Sequence, residues 1–294
     1  MSKSLVSTAA LLLLSAPVPV ALPGPVASPA PALPSFAVAY RDTAAAIQRA
    51  GGTYATWTGR HFLSFDPAGD GTAVEVVGDL ATADRIAILV PGVDTTLKNF
   101  DRGLGGVARR APAVQARAVY WKLRGTDRKA KVAVVAWLGY DTPEGIGIAA
   151  VREQRARAGA DALTRFVDGV QRQRPAAAVT LVGHSYGAIV VGLAAPRLPR
   201  VHDVIALGAP GMGAAHASDL GGARVWSALA PKDWMRRIPQ IRLFDLGHGR
   251  RPSDPSFGAD PLPTGGVEGH DYYLTPGSDT LDAVATVVLG GGAA

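Results

Sequence analysis

The chain has 294 residues, no cysteine and a formal charge of +6, because 30 Lys and Arg outnumber 24 Asp and Glu. With 48% hydrophobic and only 18% charged side chains, the composition excludes a charge-rich disordered protein. The length suits one large domain or two small ones with a substantial core. The absence of cysteine excludes disulfides, thiolate metal sites, a cysteine nucleophile and a lipid anchor on cysteine.

Residues 1–35 are predicted to form an export signal followed by a tether rich in proline and alanine. An apolar run at residues 5–14 follows Lys3, and seven prolines occupy positions between 17 and 34. Proline ends this run at about half of the roughly 20 apolar residues that a membrane-spanning helix needs, so a signal peptide is favoured. A disordered tail is the alternative. We therefore expect export, to the medium or the cell envelope, and one domain over residues 36–294.

Short apolar strands alternate with helical segments from Pro34 onward. The predicted strands cover residues 61–65, 73–78, 85–90, 131–138, 178–182, 201–207, 224–230 and 241–246. The predicted helices cover residues 97–116, 149–174, 188–195 and 279–289. Apolar strands that alternate with helices indicate an α/β domain, in which helices cover both faces of a mostly parallel sheet.

A G-x-S-x-G motif, Gly183-His184-Ser185-Tyr186-Gly187, follows the strand at 178–182 and precedes a helix. This context is typical of a nucleophile elbow, a sharp turn that places the serine hydroxyl above the sheet edge. Both flanking positions are glycine because larger side chains there would collide with the neighbouring strand and helix. The motif predicts Ser185 as a nucleophile, and a surface turn of glycine and serine is the alternative.

Several longer motifs accompany the elbow. They are VPGVDTT at residues 90–96, VVAWLGYDTP at 134–143, VGHSYG at 182–187, HG…DPSFGAD at 248–260 and GHDYY at 269–273. In combination, over about residues 62–289, they resemble the actinobacterial α/β-hydrolase family formerly called domain of unknown function 1023. The resemblance implies an α/β-hydrolase fold, but the substrates of that family are largely undefined.

The acidic member of an α/β-hydrolase triad follows the serine in the chain and lies beyond the carboxyl end of a strand. Asp233 meets both conditions, since it comes soon after the strand at 224–230. Asp203 lies at the amino end of the strand at 201–207 and therefore at the wrong edge of the sheet. Asp219 lies in the segment after that strand, and Asp245 lies inside the predicted strand at 241–246. Asp233 is therefore the predicted acid, and a turn or helix cap is its alternative role.

Two histidines are candidates for the catalytic base. His248 lies just after the predicted strand at 241–246, whereas His270 lies ahead of the last helix. Proximity to the strand favours His248, while the family resemblance and the position before the closing helix favour His270. We select His270 and expect His248 to be a structural loop residue or a substrate contact.

An oxyanion hole needs two backbone donors. One is predicted to be the N–H of Tyr186, immediately after the nucleophile. The second is predicted in the Pro91-Gly92-Val93 loop, with Val93 as first choice and Gly92 as second. These residues together predict a serine hydrolase that acts on carboxylic esters, including acyl lipids, through an acyl-enzyme.

No cofactor is expected, because the sequence has no metal-ligand spacing and no nucleotide-binding glycine motif. The expected partner is a small-molecule or lipid ester, with association at the cell envelope as a further expectation and no role for nucleic acid. Acyl transfer and amide cleavage by the same triad are alternative reactions. A non-catalytic envelope-binding module is a third hypothesis.

The connections at 208–222 and 247–269 are expected to flank the site. Trp226 and Trp234 are expected either to line its pocket or to pack in the core.

Overall fold

A mixed sheet runs through the centre of the fold. The computed structural model describes residues 34–145, 147, 150, 152–238, 240 and 247–291. Its strands are β1 His61–Asp66, β2 Thr72–Gly78, β3 Arg85–Val90, β4 Val132–Leu138, β5 Ala178–His184, β6 Val201–Leu207, β7 Arg224–Ala228 and β8 Asp260–Pro261. Its α-helices are α1 Phe36–Ala50, α2 Pro112–Thr126, α3 Gln154–Gln173, α4 Gly187–Ala194 and α5 Asp279–Val288.

The strands lie in the order β1-β2-β4-β3-β5-β6-β7-β8. β1 and β2 form an antiparallel hairpin, and β2 also pairs antiparallel with β4. The strands from β4 to β8 are parallel to one another. The prediction of a mostly parallel sheet is confirmed, and the carboxyl ends of β3, β5, β6 and β7 therefore meet at one edge.

Helices cover both faces of the sheet, as predicted. On β3, Ile86 and Ile88 pack into the core layer that contains α3 and α4. The intervening Ala87 and Leu89 pack into the layer that contains α2 and α5. Successive side chains of a strand point to opposite faces, so a strand buried on both faces is a continuous apolar run in the sequence.

The helix predicted at residues 97–116 is wrong in its position. Turns and two short 3-10 segments occupy this region, and α2 begins at Pro112, where the fixed φ of proline suits the first helical turn. Gly103, Gly105 and Gly106 all have positive φ, between 64° and 78°, which an α-helix does not allow. These backbone angles interrupt the helix that the apolar residues of this region suggested.

Helix α1 was not predicted. Its buried positions Phe36, Ala39, Thr43 and Ile47 have helical spacing, and it packs against β1. The hydroxyl of Ser35 caps its first turn by accepting a hydrogen bond from the backbone of Val38, at 3.4 Å.

Other boundaries also differ from the predictions. α3 begins at Gln154, and β7 ends at Ala228. The strand predicted at 241–246 and most of the predicted export segment lie outside the described residues.

Residues 33–294 form one compact unit, and the division at residue 35 remains a prediction. Among the residues described, no helix has the length and apolar character to cross a membrane.

The elbow glycines provide a test of the packing. A Cβ on Gly187 would lie 2.2 Å from the carbonyl oxygen of Val90, so Gly187→Ala should lower the free energy of unfolding by about 1–3 kcal/mol. Gly125→Ala is the control, because position 125 lies in α2 with open space around it and alanine favours a helix. Urea unfolding measures both variants. An equal stability of Gly187→Ala and Gly125→Ala would contradict the packing.

Candidate active site

The predicted site residues lie around the carboxyl edge of the parallel strands. Ser185 comes directly after β5, and Asp233 lies in the turn that follows β7. His270 reaches the same place from the long connection between β8 and α5. Strands that run parallel bring their carboxyl ends to one edge, so residues far apart in sequence meet there.

Ser185 has the strained backbone that the elbow motif predicts. Its φ is 55°, one of two positive values for residues other than glycine in the part of the chain that the structure describes. Its backbone N–H donates to the carbonyl oxygen of Leu207 on β6, at 2.9 Å. The residue is only 5% exposed. This left-handed backbone conformation is costly for a side-chain-bearing residue, and the surrounding packing maintains it.

Three glycines leave space for the elbow. A Cβ on Gly183 would lie 2.5 Å from the Cα of Ala188 in α4, and one on Gly187 would strike the backbone of β3. The predicted reason for glycine on both sides of the turn is therefore confirmed. A Cβ on Gly92 would lie 2.8 Å from the Cβ of Ser185, so the loop after β3 passes directly against the serine.

Asp233 and His270 form a hydrogen-bonded pair. Nδ1 of His270 lies 2.9 Å from each carboxylate oxygen of Asp233. The Asp233 side chain is fully buried and the His270 side chain is 9% exposed. Gly208 lies next to both, since a Cβ there would be 2.8 Å from Oδ2 of Asp233 and 3.0 Å from Nδ1 of His270. The connection at 208–222 therefore begins beside this pair, as expected.

The Asp233 carboxylate accepts two further hydrogen bonds. The backbone N–H of Met235 donates to Oδ1 at 2.8 Å, and the phenol of Tyr273 donates to Oδ2 at 2.5 Å. Asp233 thus caps the short turn Trp234–Arg237 as well as contacting His270. Burial acts to raise the pKa of Asp233, but hydrogen bonds and charge, led by His270, outweigh it and lower that pKa below its ordinary value.

Two aromatic rings pack against the His270 imidazole. The ring centroid of His184 lies 4.7 Å away, and that of Trp234 lies 4.8 Å away. Nε2 of His184 is also 2.8 Å from the backbone oxygen of His270, and that oxygen can only accept a hydrogen bond. Burial, followed by the proximity of His270, lowers the pKa of His184 to about 4. His184 is therefore a neutral donor at ordinary pH.

Ser185 is linked to this pair through its neighbour in sequence. His184 contacts His270 directly, whereas no hydrogen bond joins the Ser185 hydroxyl to His270 among the described residues. Such bonds are often long in a free enzyme and shorten when substrate binds. The geometry joins Asp233 to His270, and His270 contacts the residue that precedes Ser185.

His248 occupies a different environment from His270. It is 9% exposed, its Nε2 lies 2.7 Å from the backbone oxygen of Ala150, and it packs edge-on against the ring of Tyr186. These contacts agree with a structural loop residue.

The alternative acids have other partners. Asp203, at the amino end of β6, accepts from Trp226 and Arg224. Asp219 accepts from the backbone of Ala215 and His216. Asp245 lies outside the described residues. The hydrogen bonds of Asp203 and Asp219 are therefore those of structural residues.

The two tryptophans of the sequence hypothesis differ in burial. Trp226 is 5% exposed and belongs to the core, whereas Trp234 is 37% exposed and lies against His270. Trp234 therefore gives the site an accessible apolar surface.

The loop after β3 is held in place by several hydrogen bonds. The buried Tyr140 hydroxyl donates to the oxygen of Pro91 at 2.7 Å, and the Asn99 amide donates to the oxygen of Asp94 at 2.6 Å. Asp94 has a φ of 58°, and its carboxylate accepts from the backbone of Gly145. Across the described part of the chain, the backbone N–H groups of Tyr186 and Val93 have no protein acceptor. Both predicted oxyanion donors therefore remain available to a ligand.

Sequence reasoning missed Tyr273, His184 and Tyr140 as neighbours of the site. All three lie inside the motifs quoted above, but their spacing carries no sign of these contacts. Among the residues that the structure describes, no group of three or more His, Asp or Glu side chains is arranged to hold a metal ion.

The lowered pKa of Asp233 predicts a pH-dependent stability. Its ionised form stabilises the fold above the ordinary pKa of 3.8, and this contribution is lost as the pH falls through the lowered pKa of the folded state. Asp233→Asn should therefore be less stable than the wild type near neutral pH, with a difference that shrinks at about pH 3. Urea unfolding at both pH values measures this. A difference that stays constant would contradict the assignment.

Comparison with known proteins identifies relatives by sequence. A model of the alpha/beta hydrolase family matches residues 66–243. An uncharacterized Mycobacterium tuberculosis protein is 33% identical over 175 residues, which are 58% of this chain and 64% of that protein. A second uncharacterized protein of that organism is 28% identical over 271 residues, which are 79% of this chain and 39% of the relative. Each match thus spans less than two thirds of the relative's length.

Solved structures with a similar chain path include several hydrolases. A lidless α/β serine hydrolase from Xanthomonas campestris has a TM-score of 0.41 at 17% identity, covering 78% of this chain and 91% of its own. The thioesterase domain of the curacin biosynthetic pathway has a TM-score of 0.43 at 12% identity, covering 78% and 99%. The family match covers more than half of the chain, and the mostly parallel sheet carries a nucleophile-elbow motif. The chain belongs to the alpha/beta hydrolase family.

Proposed function

We propose that the protein is a serine hydrolase that cleaves carboxylic esters, with Ser185 as nucleophile, His270 as base and Asp233 as acid. The observation that carries this proposal is the hydrogen bond between Nδ1 of His270 and the buried Asp233 carboxylate, at the sheet edge that bears the elbow. A carboxylate on Nδ1 selects the imidazole tautomer whose Nε2 can accept a proton.

Acylation begins when the Ser185 hydroxyl attacks the ester carbonyl carbon. Nε2 of His270 takes the hydroxyl proton as the new C–O bond forms, and Asp233 stabilises the imidazolium. The tetrahedral intermediate then collapses, the bond to the leaving alcohol breaks, and His270 donates its proton to that oxygen. The products of this half-reaction are the free alcohol and an acyl group on Ser185.

Deacylation repeats these steps with water. His270 removes a proton from the water molecule as its oxygen attacks the acyl carbon, and the same proton returns to Ser185 when the acyl–oxygen bond breaks. The carboxylic acid leaves, and the enzyme regains its starting state.

The developing negative charge on the carbonyl oxygen needs fixed donors. The backbone N–H groups of Tyr186 and Val93 are the proposed pair. Tyr186 follows Ser185 in the chain, Val93 follows Gly92, which lies against Ser185, and neither N–H group has a protein acceptor within the described residues. Gly92 is compatible with this role, since its lack of a side chain lets the loop approach Ser185. Such preorganised donors typically provide a large share of the rate enhancement.

The proposed substrate is an ester with an apolar portion, which includes acyl lipids. Trp234 supports this assignment, because its indole is 37% exposed and packs beside the proposed base. Export of the protein through residues 1–35, to the medium or the envelope, is part of the proposal and places the reaction outside the cytoplasm.

Hydrolysis of p-nitrophenyl esters of varied acyl length tests the proposal. The wild type should release nitrophenol, and Ser185→Ala should lose at least about 10³-fold in kcat, because the acyl group then has no attachment point. Absence of hydrolysis across the series, or equal rates for the wild type and Ser185→Ala, would contradict the proposal.

The two histidines are compared in the same assay. His270→Ala should fall to a rate close to that of Ser185→Ala, because both remove parts of one catalytic unit. His248→Ala is the matched control and should retain measurable kcat, because His248 is held by the backbone of Ala150 and packs on Tyr186. An inactive His248→Ala beside an active His270→Ala would overturn the choice of base.

A further inference from the structure

Tyr273 connects the loops that carry the proposed acid and base. It lies three residues after His270, and its phenol donates to Oδ2 of Asp233 at 2.5 Å. The same phenol oxygen accepts a hydrogen bond from the backbone N–H of Ala230, at 3.1 Å, in the turn between β7 and Asp233. Tyr273 is 1% exposed, so water does not compete for these bonds.

Among the residues that the structure describes, three donors contact the Asp233 carboxylate. Met235 donates to Oδ1, His270 contacts both oxygens, and Tyr273 donates to Oδ2. If the phenol were removed, Oδ2 would keep, of these three contacts, only the one with His270. A buried carboxylate oxygen that loses a donor bears the cost of incomplete solvation, which rotation or displacement of the group partly relieves.

We propose that Tyr273 is a positioning residue of the hydrolase reaction, which acts through Asp233 to fix the orientation and hydrogen-bonding strength of the acid toward His270. This inference rests on the proposed function of Ser185, His270 and Asp233. Within the described residues the phenol of Tyr273 forms hydrogen bonds with Asp233 and Ala230 and none with Ser185, so its proposed effect on catalysis passes through the acid.

The phenol remains a donor over the working pH range. Burial, followed by the hydrogen bond and charge of Asp233, raises the pKa of Tyr273 above its ordinary value. Among the described residues, the titratable and charged groups that act on Tyr273 or Asp233 from the surrounding elements are His184, Arg236, Arg251 and His270. These groups are all retained in the variants below, so the comparison isolates the phenol.

Tyr273→Phe removes one oxygen and keeps the ring. The variant should lose about tenfold in kcat with little change in KM, because a misplaced acid slows the proton transfers and leaves substrate binding intact. The Asp233–His270 pair would also take up a proton at higher pH, because the carboxylate no longer shares its charge with the phenol. The acid limb of the kcat/KM profile should therefore move to higher pH, which a purely structural role for Tyr273 would not cause.

Three comparisons make the test specific. Tyr272→Phe is the matched control, because the ring of Tyr272 stacks on Arg109 rather than on the acid. This variant should keep the wild-type kcat and the wild-type pH profile of kcat/KM. In an Asp233→Asn background, Tyr273→Phe should change kcat less than twofold, because the residue through which it acts has been altered. A 3-fluorotyrosine placed at position 273 retains the ring and hydroxyl, and its more acidic phenol should move the acid limb to lower pH.

The outcomes separate the inference from the proposed function. An inactive wild type would refute the ester hydrolase itself. An active wild type with Tyr273→Phe folded and unchanged in both kcat and pH profile would overturn only the role of Tyr273. If Tyr273→Phe does not fold, the 3-fluorotyrosine variant provides the test instead. An acid limb of its kcat/KM profile that stays at the wild-type pH would overturn the inference. Full additivity with Asp233→Asn would overturn it as well.

Discussion

The hydrogen bond between the Asp233 carboxylate and Nδ1 of His270 organises the carboxyl edge of the sheet. It requires a buried charge in the turn after β7, and a buried carboxylate is tolerated only when donors surround it. Met235 and Tyr273 provide those donors, and Gly208 leaves the space in which the pair meets. The loops after β7 and β8 are thus tied together by one carboxylate.

The elbow is the second constraint, and it acts through backbone geometry rather than charge. Ser185 keeps a positive φ because the strands and α4 enclose it, and glycines occupy the positions where a Cβ would meet backbone atoms. The two constraints meet at His184, the residue before Ser185. The ring of His184 packs on the ring of His270, and Nε2 of His184 donates to the backbone carbonyl oxygen of His270. A substitution at Ser185, His184 or His270 should therefore alter the packing around the other two residues.

The parts of this arrangement that were predictable are those encoded locally. An apolar strand followed by G-x-S-x-G specifies the elbow, and alternating strands and helices specify a parallel sheet. The helix predicted over residues 97–116 failed because the glycines at 103–106 adopt backbone angles that apolar periodicity does not detect. Tyr273 was missed for a different reason. Its bond to Asp233 spans 40 residues, and only the folded chain brings the two together.

The proposed reaction depends on Ser185 as a nucleophile that the His270–Asp233 pair activates. Mass spectrometry of the intact protein after brief reaction with a fluorophosphonate measures this activation, because such reagents modify an activated serine much faster than an ordinary hydroxyl group. We expect one phosphonyl group per chain, mapped to the peptide that contains Ser185 and missing from Ser185→Ala. An unmodified wild type, or equal modification of the wild type and Ser185→Ala, would contradict it.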